Sequence, residues 1–527
     1  MPNVAHEVRV WWDNQLPRRK RAYKILAVFS AVVVVAAAVI VPIALRSSGP
    51  SPCMREGATD VVHQGANHEC VGFTDGSFVY APQLAAVEQA VRAENRQVVA
   101  QHPDDYVSVL LLLPISADKG SILSMTNAVE QVRGAYTAQH YANRSNVEGI
   151  APYIQLLTGN DGYQANQWQT ATPAIERATD QHIAAVTGLG LSLRTTQQAV
   201  SDLTAHHIPV FGATITSDTY DNIKNFVRVS PSNQDNMSAA LSYVRGDYTR
   251  AILVEDGNAG DSYDATLVSG FKKFDAFPGH RIVGVEPYDT TGRDNATDKA
   301  DRAQQEAEVE TRISQMTGDI CTQQPAVVLF AGRGQDLGVL LHALSNTCMD
   351  KPIRIVSGDD VTNLPNTAQL RQDLKGHVTV DYAGVAHPDE WTAAHDASAR
   401  QAEADGARGY DTFIKQYGPL FHATSTADLG DGNTMMAYDA TLTAITAIRL
   451  AEQRQPRPDA VANELGVLQG VHKVLGAGGP IQFTANYQTS HTGSNPVDKA
   501  MPILRLQPNG NPRVMTVKWP ARTAPVG

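Results

Sequence analysis

Gly332-Arg333-Gly334 follows an apolar run, Ala326 to Phe330, and so places an arginine at the carboxyl end of a predicted strand. A guanidinium there presents a planar fork of donors to a carboxylate or a phosphate. Equally, it can pair with Asp359 or Asp360, which come after the next apolar run, Ile353 to Val356, and bind nothing further. The stretch Gly332 to Gly338 also looks like a variant dinucleotide fingerprint, with glycines after a strand, a helix opening behind them and an acid beyond the next strand. A lone G-x-G-x-x-x-G in mid-chain is weak support for such a cofactor, and none is expected. No G-x-S-x-G, H-E-x-x-H or P-loop pattern occurs. His206-His207 reads as a charge complement at a helix end rather than a metal pair. Asp428-Leu-Gly-Asp431-Gly-Asn433 lacks the glutamate that closes a calcium loop and reads as a turn before a helix. Neither catalysis nor a metal is expected.

The chain has 527 residues, 43 % apolar, which is too much for one core. Its 54 acidic against 43 basic side chains leave no footing for a nucleic-acid binder, which must neutralise phosphates. The first 24 residues reverse that balance, with six basic and two acidic side chains. The 21 residues from Ile25 to Leu45 then carry no charge and only Ser30 as a polar side chain. As a helix they would span about 31 Å, one hydrocarbon core. Arg18, Arg19, Lys20, Arg21 and Lys24 on the N-terminal side predict a cytoplasmic N-terminus, with the bulk of the chain outside. A cleaved signal peptide is the rival, but its apolar region runs about 7–15 residues and no small-residue cleavage site follows Leu45.

All four cysteines, Cys53, Cys70, Cys321 and Cys348, fall on that outer, oxidising side. Two bridges between nearest neighbours, Cys53–Cys70 and Cys321–Cys348, are expected out of three connectivities. Each would close a short loop, a constraint on the order of 3 kcal/mol in the chain-entropy model.

Residues 46–103 read as a polar stalk and lead-in segment. Tyr106 to Leu113 is a continuous apolar run stopped by Pro114, the pattern of a strand buried on both faces of a parallel sheet. Behind it Ile122, Met125, Val129, Val132 and Tyr136 recur at helical spacing. Strands are predicted at Tyr153–Leu157, Ile183–Val186, Ile208–Phe211 and Phe226–Val229, with helices at Thr172–His182 and Thr195–His206. A second series has strands Ala251–Val254, Arg281–Val285, Ala326–Phe330 and Ile353–Val356, with helices Tyr263–Phe274, Gln304–Met316 and Leu337–Leu344. Two runs of strand–helix units predict two parallel-sheet α/β lobes. A third block, about 392–487, is mainly helical, includes Thr434 to Gln453, ends with the strand Ile481–Phe483 and must complete one of the lobes.

The order and wording of these elements resemble the type I periplasmic binding proteins, in particular the branch with the leucine/isoleucine/valine-binding proteins and related receptor ligand-binding domains. The likeness covers about residues 104–515. It rests on Tyr106–Pro114, Ile208-Pro-Val-Phe-Gly-Ala-Thr214, Phe226-Val-Arg-Val-Ser-Pro-Ser232, Asp261-Ser-Tyr263, Ala437-Tyr-Asp-Ala440, Gly479-Pro-Ile-Gln-Phe483 and Pro502 to Gly510. It implies two Rossmann-like lobes, 104–232 plus 392–487 and 233–391 plus 488–520, joined by three crossovers near 231–248, 386–392 and 487–500 that hinge around a small polar ligand. It also implies a solute receptor of an ABC importer, or a sensor whose 24-residue tail meets a signalling partner, and no enzymatic activity.

By the same resemblance, two loops of the first lobe would meet the carboxylate and amine of an amino acid. Ser192, Ala213, Thr214 and Thr216 are the positions concerned, while Thr195 and Ser217 equally suit helix caps. From the second lobe would come Tyr263, at the head of a helix, and an acid, Asp360 or, one residue earlier, Asp359, for the ammonium. Two departures stand out. The acid is doubled and followed by Val361 instead of glycine, and Arg333 stands where relatives carry an aromatic or small residue.

Overall fold

The computed structural model describes residues 53, 60–64, 69–115, 121–296, 298–392, 401–423, 425–485 and 493–520. The expected tail, 1–24, and membrane helix, 25–45, lie outside them. Among the described residues no helix is long and apolar enough to cross a membrane.

The described residues from Asp60 onward build two seven-stranded sheets and one small two-stranded one. In lobe 1 the strands β3 (Tyr106–Leu113), β4 (Tyr153–Asn160), β5 (Ile183–Gly188), β6 (Val210–Gly212) and β7 (Phe226–Arg228) lie parallel in the order β4-β3-β5-β6-β7. In lobe 2 the strands β8 (Arg250–Asp256), β9 (Arg281–Tyr288), β10 (Val327–Ala331), β11 (Ile353–Ser357) and β12 (Val378–Ala383) repeat it as β9-β8-β10-β11-β12. Both are doubly wound sheets whose strand order reverses beside the first strand of each lobe, β3 or β8. At such switch points the loops at the strands' carboxyl ends part and leave a crevice.

An antiparallel hairpin extends each sheet. β1 (Asp60–Gln64) and β2 (Glu69–Thr74) join β4, while β15 (Met501–Leu506) and β16 (Pro512–Lys518) join β12. Residues 60–101, read from the sequence as stalk and lead-in, therefore belong to lobe 1, because α1 (Ala85–Gln101) also seals it with Val87, Val91 and Val98. β12 was not predicted. It lacks the continuous apolar run of the other central strands because of Thr379 and Asp381, the latter a buried carboxylate held by Arg354 and Arg505 at 2.6–3.0 Å, so a charge sits where a strand buried on both faces would carry an apolar residue.

α2 (Met125–Ala142), α3 (Trp168–Arg177) and α4 (Arg194–Ala205) cover lobe 1; α5 (Asn233–Val244), α6 (Ser262–Phe271), α7 (Lys299–Gln315) and α8 (Gly334–Ser345) belong to lobe 2. The first crossover is shorter than expected. Ser232 accepts a hydrogen bond from the Asp235 amide and caps α5, whose Met237, Leu241 and Val244 enter the lobe 2 core with Leu253 and Phe271. The chain returns to lobe 1 after β12 for α9 (Gln401–Phe421) and α10 (Asn433–Leu450). Ile481 pairs not with either large sheet but in a small hairpin of β13 (Val474–Gly476) with β14 (Gly479–Ile481).

α10 is buried from Asn433 to Arg449, as its small and apolar residues on all faces require. It crosses α2 so closely that a Cβ at Gly134 would lie 2.1 Å from the Thr434 carbonyl oxygen, which only glycine permits. Cys321 and Cys348 are bridged with Cα atoms 5.6 Å apart, as the spacing predicted. Cys53 and Cys70 are disulfide-bonded as well.

Candidate functional site

The two switch points face one another across a cavity of about 20 Å³, room for one or two water molecules. Lobe 1 supplies Leu123 from the loop after β3, Gly190, Leu191 and Ser192 from the loop after β5, Thr214 after β6, and Asp431 and Asn433 at the head of α10. Lobe 2 supplies Tyr263, Arg333 and the turn from Asp359 to Asn363. Of the residues singled out in the sequence, Ser192, Thr214, Tyr263, Arg333, Asp359 and Asp360 line this cavity. Ala213 and Thr216 are buried behind it. The Ala213 amide donates to the Gly188 carbonyl, and the Thr216 amide to Ser192 Oγ. Asp431, Asn433 and Asn363 were not anticipated; the acid and amides of Asp431-Gly432-Asn433 were the available signal, read as a turn.

Two of the hydroxyl groups expected at a ligand carboxylate already take part in hydrogen bonds within the protein. Ser192 Oγ accepts from the Thr216 and Ser217 amides at 3.1 and 3.2 Å, and Thr214 Oγ1 donates to the Gly190 carbonyl at 2.9 Å. Ser217 Oγ donates across the cleft to the Ser262 carbonyl at 2.9 Å. The lobes share further bonds along this seam. The Tyr263 amide and the Ser262 hydroxyl both donate to the Ser192 carbonyl, and the Arg194 amide, at the start of α4, donates to the Gly260 carbonyl at 3.1 Å.

Arg333 is 3 % exposed and fully employed by its own chain. Its Nε and Nη2 grip Asp261 at 2.6 and 2.8 Å, Nη1 donates to Asp360 at 2.9 Å, and Nη2 reaches the Ser192 carbonyl of lobe 1 at 3.2 Å. Its guanidinium carbon stands 4.5 Å from the centre of the Tyr263 ring, a cation–π contact. Of the two roles open to Arg333 in the sequence, pairing with an acid is the one observed. Asp261 was missed as the second partner because it also caps α6, accepting from the Tyr263 and Asp264 amides.

Asp360 is satisfied on both oxygens, by Arg333 and Asn363 on one and the Gly334 amide on the other. Its backbone N–H donates to the Tyr263 hydroxyl at 2.9 Å. Asp359 differs: it is 8 % exposed, and its Oδ1 has no hydrogen-bond partner. Burial, then the Asp360 charge, pushes its carboxyl up to about 7, with Arg333 and the Thr216 hydroxyl opposing. Asp264 behind it is raised well above the carboxylate range by burial and then by Asp261. On the lobe 1 side, burial and then its neighbour Asp431 raise Glu130 well above the carboxylate range.

Among the described residues one histidine–carboxylate group, Glu176, Asp202 and His206, brings its ligand atoms within 4.8 Å of one another. It lies at the far end of α4 from the cleft, where His206 pairs with Glu176 at 2.9 Å.

No family model and no curated protein matches the chain. Solved structures do. The branched-chain amino acid transporter substrate-binding protein LivJ from Streptococcus pneumoniae, in complex with isoleucine, superposes with a TM-score of 0.56 at 14 % identity, over 79 % of this chain and 100 % of that one. A leucine-binding protein LivK from Thermotoga maritima gives 0.53 at 14 %, over 78 % and 98 %. A solute-binding protein of an ABC transporter from R. palustris, in complex with 4-hydroxybenzoate, gives 0.56 at 13 %, over 79 % and 98 %. The chain has the type I periplasmic binding fold.

Proposed function

We propose that the two lobes form a solute receptor that closes on a small polar molecule at the cavity between Ser192, Thr214, Tyr263, Asp359 and Asp360. One observation carries this reading: the switch-point loops of two independent sheets converge on a single polar cavity, the location where doubly wound sheets bind ligands. The similar structures are binding proteins, one with isoleucine and one with 4-hydroxybenzoate, which supports a binding role rather than a catalytic one. In this reading the apolar run Ile25–Leu45 anchors the receptor with its lobes outside the cytoplasm, where it serves an ABC-type importer. A thermal-shift screen of residues 46–527 against amino acids, peptides, sugars and nucleosides tests the binding role. A ligand should raise the melting temperature and reduce the radius of gyration in X-ray scattering; a silent screen would sink it. N-terminal sequencing of the mature protein tests the anchor, since a start between residues 46 and 53 would mean cleavage.

A second reading, a sensor with no transport role, is favoured by the seam. The lobes are joined by hydrogen bonds of their own from Tyr263, Ser262, Arg194 and Arg333, so closure is stabilised in part by contacts within the protein. The readings diverge in partner: a permease should co-purify with an importer's receptor, and an inner-face protein with a sensor.

A further inference from the structure

The carboxyl and hydroxyl groups around the cavity are unequal in what they can still accept. On lobe 1, Thr214 Oγ1 already donates to the Gly190 carbonyl and Ser192 Oγ already accepts from the Thr216 and Ser217 amides, and among the described residues no lobe 1 cation lines the cavity to meet a ligand carboxylate. The charge is lopsided as well. Three acids, Asp359, Asp360 and Asp431, line the cavity with one cation, Arg333, and that cation is consumed by Asp261 and Asp360. Two carboxylates are thereby left over, and they come from opposite lobes. Asp431 stands at the head of α10 in lobe 1; Asp359 begins the turn after β11 in lobe 2, with a buried and unpartnered oxygen. Both lie close enough to the buried Tyr382 that, after burial itself, their charges raise its hydroxyl further. Closing the lobes brings these two negative groups toward one space with no protein cation left to stand between them, which is costly at low dielectric.

We propose that this seat takes the ammonium head of a carboxylate-free organic cation, a primary amine, held between Asp359 of lobe 2 and Asp431 of lobe 1. The size agrees, since an –NH₃⁺ group is close to a water molecule in volume and the closed cavity admits little more. Arg333 shows what the surrounding wall is built for: a cation between two aspartates with the Tyr263 face beneath it. It also sets the selectivity, because it neutralises the acids nearest the seam and leaves Asp359 and Asp431 to the solute. The inference rests on the solute-receptor reading above and narrows it from polar molecules in general to amines, away from the zwitterionic amino acids.

The test is calorimetric titration of residues 46–527 with methylamine, ethanolamine and putrescine, beside isoleucine, benzoate, potassium and calcium, with X-ray scattering on each mixture. At least one amine should bind and compact the protein, while isoleucine should bind about tenfold more weakly or not at all. Asp359→Asn and Asp431→Asn, each able to keep its backbone hydrogen bonds, should weaken that amine by about tenfold or more without loss of the circular-dichroism spectrum. Compaction by isoleucine or benzoate in place of amines would overturn the amine assignment and leave the receptor reading standing. Binding of calcium or potassium with no amine response would overturn it in favour of an inorganic ion. No compaction by any solute would overturn both readings.

Discussion

Replacing Asp359 by asparagine should stabilise the protein, and by an amount that depends on pH. In the shut cleft the Asp359 carboxyl is raised to about 7 from its ordinary 3.8, burial being the first cause and Asp360 the second. The folded state therefore holds a proton that the unfolded chain has released, and stability through this group falls as pH rises from about 4 to 7. Three units at 1.36 kcal/mol each make a cost on the order of 4 kcal/mol above pH 7, of which about 1.5 kcal/mol is already incurred at pH 5. Asparagine removes the charge while keeping an oxygen for the backbone. The stability gained by Asp359→Asn should then grow by about 2.5 kcal/mol between pH 5 and pH 8. Urea unfolding of both proteins at the two pH values measures this directly, and because the readout is a difference, other buried acids cancel. Among those, Glu88, Asp161 and Glu390 are each raised to about 8 by burial first. A variant less stable than the parent at pH 8, or one whose gain does not change with pH, would refute the reasoning. A residue whose removal strengthens the fold while weakening amine binding has been kept for what it binds.

Three further outcomes follow from the packing. Arg333→Met should cost about 3–5 kcal/mol in urea unfolding, since it strands Asp261 and Asp360 without a partner; a loss under 1 kcal/mol would mean that the pairing contributes little. Gly134→Ala should destabilise by about 1–3 kcal/mol, because the added methyl meets the Thr434 carbonyl at 2.1 Å, and a melting temperature equal to the parent's would contradict the close crossing of α2 and α10. Cys321→Ala with Cys348→Ala should lower stability by about 3 kcal/mol in the same assay, whereas reduction of the parent without effect would show the bridge to be idle.

The parts of the fold that could be read from sequence are those with one dominant signal. Tyr106 to Leu113 is apolar at nearly every position because both faces of β3 are covered, and its limits agree with the structure residue for residue. β12 escaped because Asp381 sits inside it, and β1, β2 and α1 escaped because their short or polar sequences look like a linker until β4 offers an edge to pair with. In the site, the loops were legible because they follow apolar runs, and Arg333 because it is an unusual residue there. What sequence could not convey is allocation. Whether a hydroxyl or a carboxylate faces a solute or another part of the chain depends on contacts between residues far apart, such as Arg333 with Asp261 and Ser217 with Ser262.

The amide of Arg194 gives the cleft a clock. As the first residue of α4 it has no acceptor within its own helix, and its partner, the Gly260 carbonyl, belongs to the other lobe. Every opening of the lobes exposes that one hydrogen to solvent, whereas amides deeper in α4 stay bonded to their own turn. Its deuterium uptake therefore counts openings, and a solute that holds the lobes shut will slow it in proportion to the time spent closed.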